Sequence, residues 1–134
     1  MHRTRDFIAA RLREAWDTLR RVPAQGVPEL RSHWPQTIQD VADAYGYTPP
    51  TIRLSPASPQ AIDRMMETFA WFQALNDAPH LTRAVWLTAA AGMGIRRAAQ
   101  VLGIHRDTVR ARRDEALNRM ADHVRQTQAL KDRR

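Results

Sequence analysis

Apolar positions near the start of the chain recur at helical spacing. Ile8, Leu12, Ala15 and Leu19 fall at i, i+4, i+7 and i+11, with Phe7 and Trp16 beside the stripe. This predicts an amphipathic helix over Thr4 to Arg21. Val22-Pro23 ends it, and a Pro/Gly-rich loop runs through Gly26 and Pro28 to Trp34-Pro35. A second helix is expected over Gln36 to Tyr45, with Ile38, Val41, Ala42 and Tyr45 on one face and Gly46 as its stop. Tyr47 to Ser58 is irregular; within it, Thr51 to Leu54 reads as a short extended piece with no strand partner. Ser58-Pro59 is a helix start, a side-chain cap followed by proline at the first helical position. The third helix runs to about Leu75 with Ile62, Met65, Met66, Phe69, Phe72 and Leu75 facing inward, and Asn76-Asp-Ala-Pro79 breaks it. Thr82 is expected to cap a fourth helix reaching about Ala91, with Val85, Trp86 and Ala89 available for packing. Gly92-Met-Gly94 then forms a hinge.

The stretch from Ile95 to Arg113 carries the pattern of a helix-turn-helix. Its first helix is Ile95 to Leu102. Gly103 stands at the turn, where a positive φ is easiest for glycine. Ala99 supplies the small side chain for a close helix crossing, and Ala98, Leu102, Ile104 and Val109 are the apolar positions that lock the two helices together. The recognition helix starts near His105 or Arg106. It meets no strong breaker before the tail Lys131-Asp-Arg-Arg134, and Ala116, Leu117, Met120 and Val124 extend its apolar side. The expected fold is all-α, with five to six helices, a C-terminal helix-turn-helix and a long recognition helix.

Charge sharpens this picture. Residues 1–79 hold nine basic and nine acidic residues, whereas residues 80–134 hold twelve basic and five acidic ones, which is the whole +7 of the chain. A polyanion would meet the C-terminal part. Residues 1–79 are therefore expected to serve assembly or interaction, and residues 80–134 to bind DNA. Twenty of the twenty-one basic residues are arginine. A GC-rich genome explains that choice over lysine but not the confinement of the excess to one end.

In a helix-turn-helix the second helix enters the major groove while the first lies across the phosphates. Arg106, Arg110 and Arg113 share one stripe of the recognition helix. Arginine matches guanine O6 and N7, so Arg106 and Arg110 are the leading candidates for base contact. His105, Asp107 and Asp114 are supporting readers, since a carboxylate accepts from cytosine N4 or orients a neighbouring arginine. Arg96 and Arg97, at the start of the preceding helix, are placed to bind phosphate beside its free N–H groups. The competing reading of these arginines is a solvated helix face paired to acids.

Three segments together resemble the C-terminal promoter-reading domain of bacterial sigma-70-type factors. They are Leu81-Thr-Arg-Ala-Val-Trp-Leu87, Gly94 through Thr108-Val109 to Arg112, and Ala116-Leu-Asn-Arg-Met120. The likeness covers about residues 81–124. It implies reading of a promoter-like element in double-stranded DNA and contact with RNA polymerase. Ala98 departs from the usual larger aliphatic, and His105 from the usual serine or threonine cap. The full layout is also similar to a family of small helix-turn-helix proteins of phages and prophages of alphaproteobacteria. That second likeness rests on Glu14-Ala-Trp-Asp-Thr-Leu-Arg-Arg21, Ser32-His-Trp-Pro35, Ala44-Tyr-Gly46 and Ala61-Ile-Asp-Arg-Met65. It implies a context, with another phage protein as a further partner, and no activity.

Other chemistries find little support. The five histidines are scattered, without metal-ligand spacing, and there is no cysteine, so neither a metal nor a cofactor is expected. Asp40/Asp43 and Asp63/Glu67 read as solvated helix faces, and no catalytic triad or phosphate loop is visible; the expectation is a non-enzyme. The four tryptophans are assigned to the core. With no apolar run near bilayer length and no secretory signal, a cytoplasmic protein without membrane contact is expected. The leading function is a sequence-specific, homo-oligomeric transcriptional regulator. The alternatives are the small subunit of a phage DNA-packaging terminase, whose helix-turn-helix commonly comes first in the chain, and a protein-interaction module.

Overall fold

Helix α1 spans His2–Arg21, starting two residues before the expected Thr4. The structure, a computed structural model, describes residues 2–22, 31–41 and 55–133. Among these residues there are five further α-helices and no strand, so the fold is all-α. They are α2 (Gln36–Val41), α3 (Pro59–Ala70), α4 (Pro79–Val85), α5 (Ile95–Leu102) and α6 (Arg106–Asp132). The expected continuation of α2 to Tyr45, the loop from Pro23 to Leu30 and the extended piece at Thr51 to Leu54 lie outside the described residues.

The stripe Ile8, Leu12, Ala15 and Leu19 is buried as its spacing demands. It packs along α3, α6 and the turn that follows α4. Each large aliphatic side chain removed from water contributes about 1.5–3 kcal/mol. The interface between α1 and α3 is also pinned by charge at its rim. Arg64 Nε donates to Glu14 Oε1 at 2.8 Å, and Arg11 Nη2 donates to the Arg64 carbonyl at 3.0 Å. The Arg11 guanidinium lies 5.0 Å from the Trp71 ring centre, within cation–π range.

Phe69 is the hub of an aromatic cluster. Its ring centre is 5.0 Å from Trp34, 5.7 Å from Trp86 and 6.5 Å from Phe72, and Trp86 in turn meets Trp16 at 5.4 Å. Most of these contacts are edge-on or tilted, as ring quadrupoles prefer. Trp34 Nε1 donates to Met66 Sδ at 3.3 Å, which gives the buried indole a partner.

The start of α3 forms as Ser58-Pro59 predicts, with Ser58 Oγ accepting from the Ala61 N–H at 3.1 Å. Its last turn tightens into a 3₁₀ segment, Trp71–Leu75. The fourth helix departs from expectation. It begins at Pro79 rather than at Thr82, because the proline that breaks α3 also supplies the first residue of α4. Ala78, held out of the helical region by the following proline, adopts φ −138° and ψ 70°. Thr82 is thus inside the helix and fully buried, with its hydroxyl unpaired. The end of this helix widens into a π turn, Trp86–Ala90, closed by the Ala91 N–H donating to the Trp86 carbonyl at 2.9 Å.

One hydrophobic cluster takes in residues from Ile8 to Ala121 and joins α1, α2, α3, α4 and α6. The charge boundary at 79/80 falls in the first turn of α4, so it is not a boundary of packing. With 27 residues, α6 is about 40 Å long. Val109, Ala116, Leu117, Met120 and Ala121 are buried, whereas Arg106, Asp107 and residues 125–133 are exposed.

Candidate nucleic-acid interface

The path into the site begins at Gly92, whose φ of +73° turns the chain out of the π segment. Gly94 is extended and stands at the N-cap of α5 with no side chain to cap it. The earliest N–H groups of α5 are therefore left for solvent or a ligand. Gly103 ends α5 at φ +67° and ψ +34°, in the left-handed region anticipated for the turn. Its N–H and that of Ile104 both donate to the Ala99 carbonyl, the latter at 3.1 Å. The second of these bonds closes a Schellman motif. A Cβ at Gly103 would meet no atom within 4 Å, so glycine is required there by conformation and not by space.

His105 takes the N-cap of α6. Its backbone is extended (φ −71°, ψ 147°), and Nδ1 accepts from the Asp107 N–H at 3.1 Å. The imidazole performs the service usually given by a hydroxyl. Between the two helices, Ala98 and Val109 are completely buried, while Leu102, Ile104 and Ala99 are partly exposed. Ala98 is thus the fully buried small residue of the crossing, and Ala99 is only partly buried. Ala99 acts through its carbonyl. An alanine in place of a larger aliphatic at 98 also leaves this crossing with a small apolar contact.

The expected site residues divide by their surroundings. Arg96, Arg97 and Arg106 are exposed and form no ion pair among the described residues. Arg110 is exposed and only loosely paired, with Nη1 3.6 Å from Asp107 Oδ1. Asp107 itself projects into solvent in the first turn of α6, where a negative charge suits the helix dipole. Arg113 differs from the others. It is partly buried and bonded to Asp114, with Nε and Nη2 both 3.3 Å from Oδ1. The same carboxylate oxygen accepts from Arg5 Nη2 at 2.9 Å. Asp114 is therefore a bracket between α1 and α6 and is held by two cations. Arg5, 109 residues away in sequence, carried no local signal of this role.

Arg5, Asp6, Thr88, Arg113 and Asp114 line a polar cleft of about 360 Å³ between α1, the π turn and α6. Among the described residues no three His, Asp or Glu side chains are grouped as a metal would need. No described helix is long and apolar enough to cross a membrane.

No curated protein and no solved structure matches the chain. One family model does, over residues 20–120, from the end of α1 to the middle of α6 and across the whole of the helix-turn-helix. Its description is a domain of unknown function. On that match the chain belongs to the DUF6362 family.

Proposed function

We propose that this chain is a cytoplasmic, sequence-specific double-stranded DNA-binding protein, a transcriptional regulator of phage or prophage type. The observation that carries the reading is the set of exposed arginines on α5 and the start of α6. Among the described residues three of them have no acidic partner and the fourth has only a distant one. Surface arginines with nothing to neutralise them suit a polyanion. The first two turns of α6 stand clear of the main core and present Arg106 and Arg110, the side chains best matched to guanine edges. Asp107, beside Arg106, is placed to accept from a cytosine amino group. Arg96 and Arg97, next to the uncapped start of α5, suit phosphate. Arg113 is the weakest of the proposed base readers, because Asp114 already occupies it.

The test selects bound fragments from the parent genome and compares them with random duplex DNA. Arg106→Ala and Arg110→Ala are expected to weaken selected DNA by about 1–3 kcal/mol with little loss on random DNA. Arg96→Ala and Arg97→Ala are expected to weaken both. Equal losses on selected and random DNA from all four variants would remove base reading from the proposal. No measurable binding to either DNA would end it.

A further inference from the structure

Resting on that reading, we infer that the N-terminal helix is part of the DNA surface and that Arg13 on α1 is a phosphate contact. The charge balance of residues 1–79 hides this. Two of the three acids of α1 are already paired: Glu14 Oε1 accepts from Arg64 at 2.8 Å, and Asp17 Oδ2 accepts from Arg21 at 3.0 Å, while Asp6 stands at the other end of the helix beside the cleft. Arg13 lies between them in sequence, is exposed, and has neither an ion pair nor a hydrogen bond among the described residues. A segment of zero net charge therefore displays an unneutralised cation.

Its position gives that cation a use. A Cβ built on Gly92 would lie 3.3 Å from Arg13 Nη2, so the guanidinium rests against the hinge that leads into α5. Two residues later Gly94 opens α5, followed at once by the unpaired Arg96 and Arg97. The register along α1 is continuous. Arg5 bonds Asp114, Ala9 lines the cleft beside Thr88 and Ala89, and Arg13 reaches Gly92, at i, i+4 and i+8 of one helical face. This face runs from the middle of α6 across the π turn to the hinge. Arg13 then adds a third cation to the pair on α5, beside the hinge that leads into it.

The experiment uses the full chain and a random-sequence duplex, because a phosphate contact does not depend on sequence. Affinity is measured across a salt series for Arg13→Gln, for Arg96→Gln, and for Arg20→Gln. Arg20, also exposed on α1 but two helical turns beyond Arg13, controls for the loss of one charge. Circular dichroism melts confirm that each variant is folded. Arg13→Gln is expected to reduce the log–log salt slope by about 0.9, as Arg96→Gln does, with Arg20→Gln unchanged. If Arg13→Gln matches Arg20→Gln while Arg96→Gln still flattens the slope, Arg13 is no contact and the helix-turn-helix reading stands. If Arg96→Gln also leaves the slope unaltered, both fall.

Discussion

The aromatic body and the helix-turn-helix tip are held together by different means. In the body, Phe69 is surrounded by Trp34, Phe72 and Trp86, and stability comes from the volume of buried rings. At the tip, the fully buried contact between α5 and α6 comes down to Ala98 and Val109. The rest of its order is set by backbone conformation: a left-handed glycine, a Schellman closure and an imidazole cap. A region fastened by its main chain leaves its side chains available. That is why the arginines of the tip are open while Arg11 and Arg64 of the body are spent on packing and pairing.

The sharpest way to break this contrast is to remove the hub. Phe69→Ala is expected to destabilise the protein by about 3–5 kcal/mol, read from urea unfolding, because the surrounding rings cannot close over the space. A loss below about 1 kcal/mol would mean that the body does not depend on that cluster. The tip should yield less, and through strain. Gly103→Val is expected to lose about 1–3 kcal/mol, with Gly103→Asn losing less, since asparagine tolerates positive φ better. As nothing crowds a Cβ there, equal losses for the two would point to a clash that the geometry does not contain. The smallest effect belongs to the cap. His105→Ala is expected to lose about 1 kcal/mol and His105→Ser to keep most of it, both followed by thermal melting. Indifference to alanine would show that α6 starts without help from residue 105.

Much of this contrast is legible in the sequence. The i, i+4, i+7 stripe of α1, the Ser58-Pro59 start and the glycine at 103 are local signals, each tied to a backbone conformation that few residues satisfy. Pro79 signals a break and a first helical residue alike, and the second role wins here, which puts Thr82 inside the helix and not at its cap. The π turn at Trp86–Ala90 and the 3₁₀ turn at Trp71–Leu75 carry the same apolar spacing as ordinary helix, so periodicity does not separate them. In the site, Arg96, Arg97, Arg106 and Arg110 are exposed. The tethering of Arg113 depends on Asp114 and Arg5, and the exposure of Arg13 depends on where Glu14 and Asp17 point. Those are facts of three-dimensional neighbourhood that no spacing along the chain encodes.

All four tryptophans, at 16, 34, 71 and 86, belong to the aromatic body, and the chain has none beyond Trp86. Intrinsic emission from this protein is accordingly a report from one side of the molecule. An unfolding curve followed by indole fluorescence will track the loss of the rings around Phe69. It will be blind to fraying of α5 or of the first turn of α6. DNA added at the tip should leave the emission maximum where it was, so a label on the exposed Val101 is the better optical handle on binding.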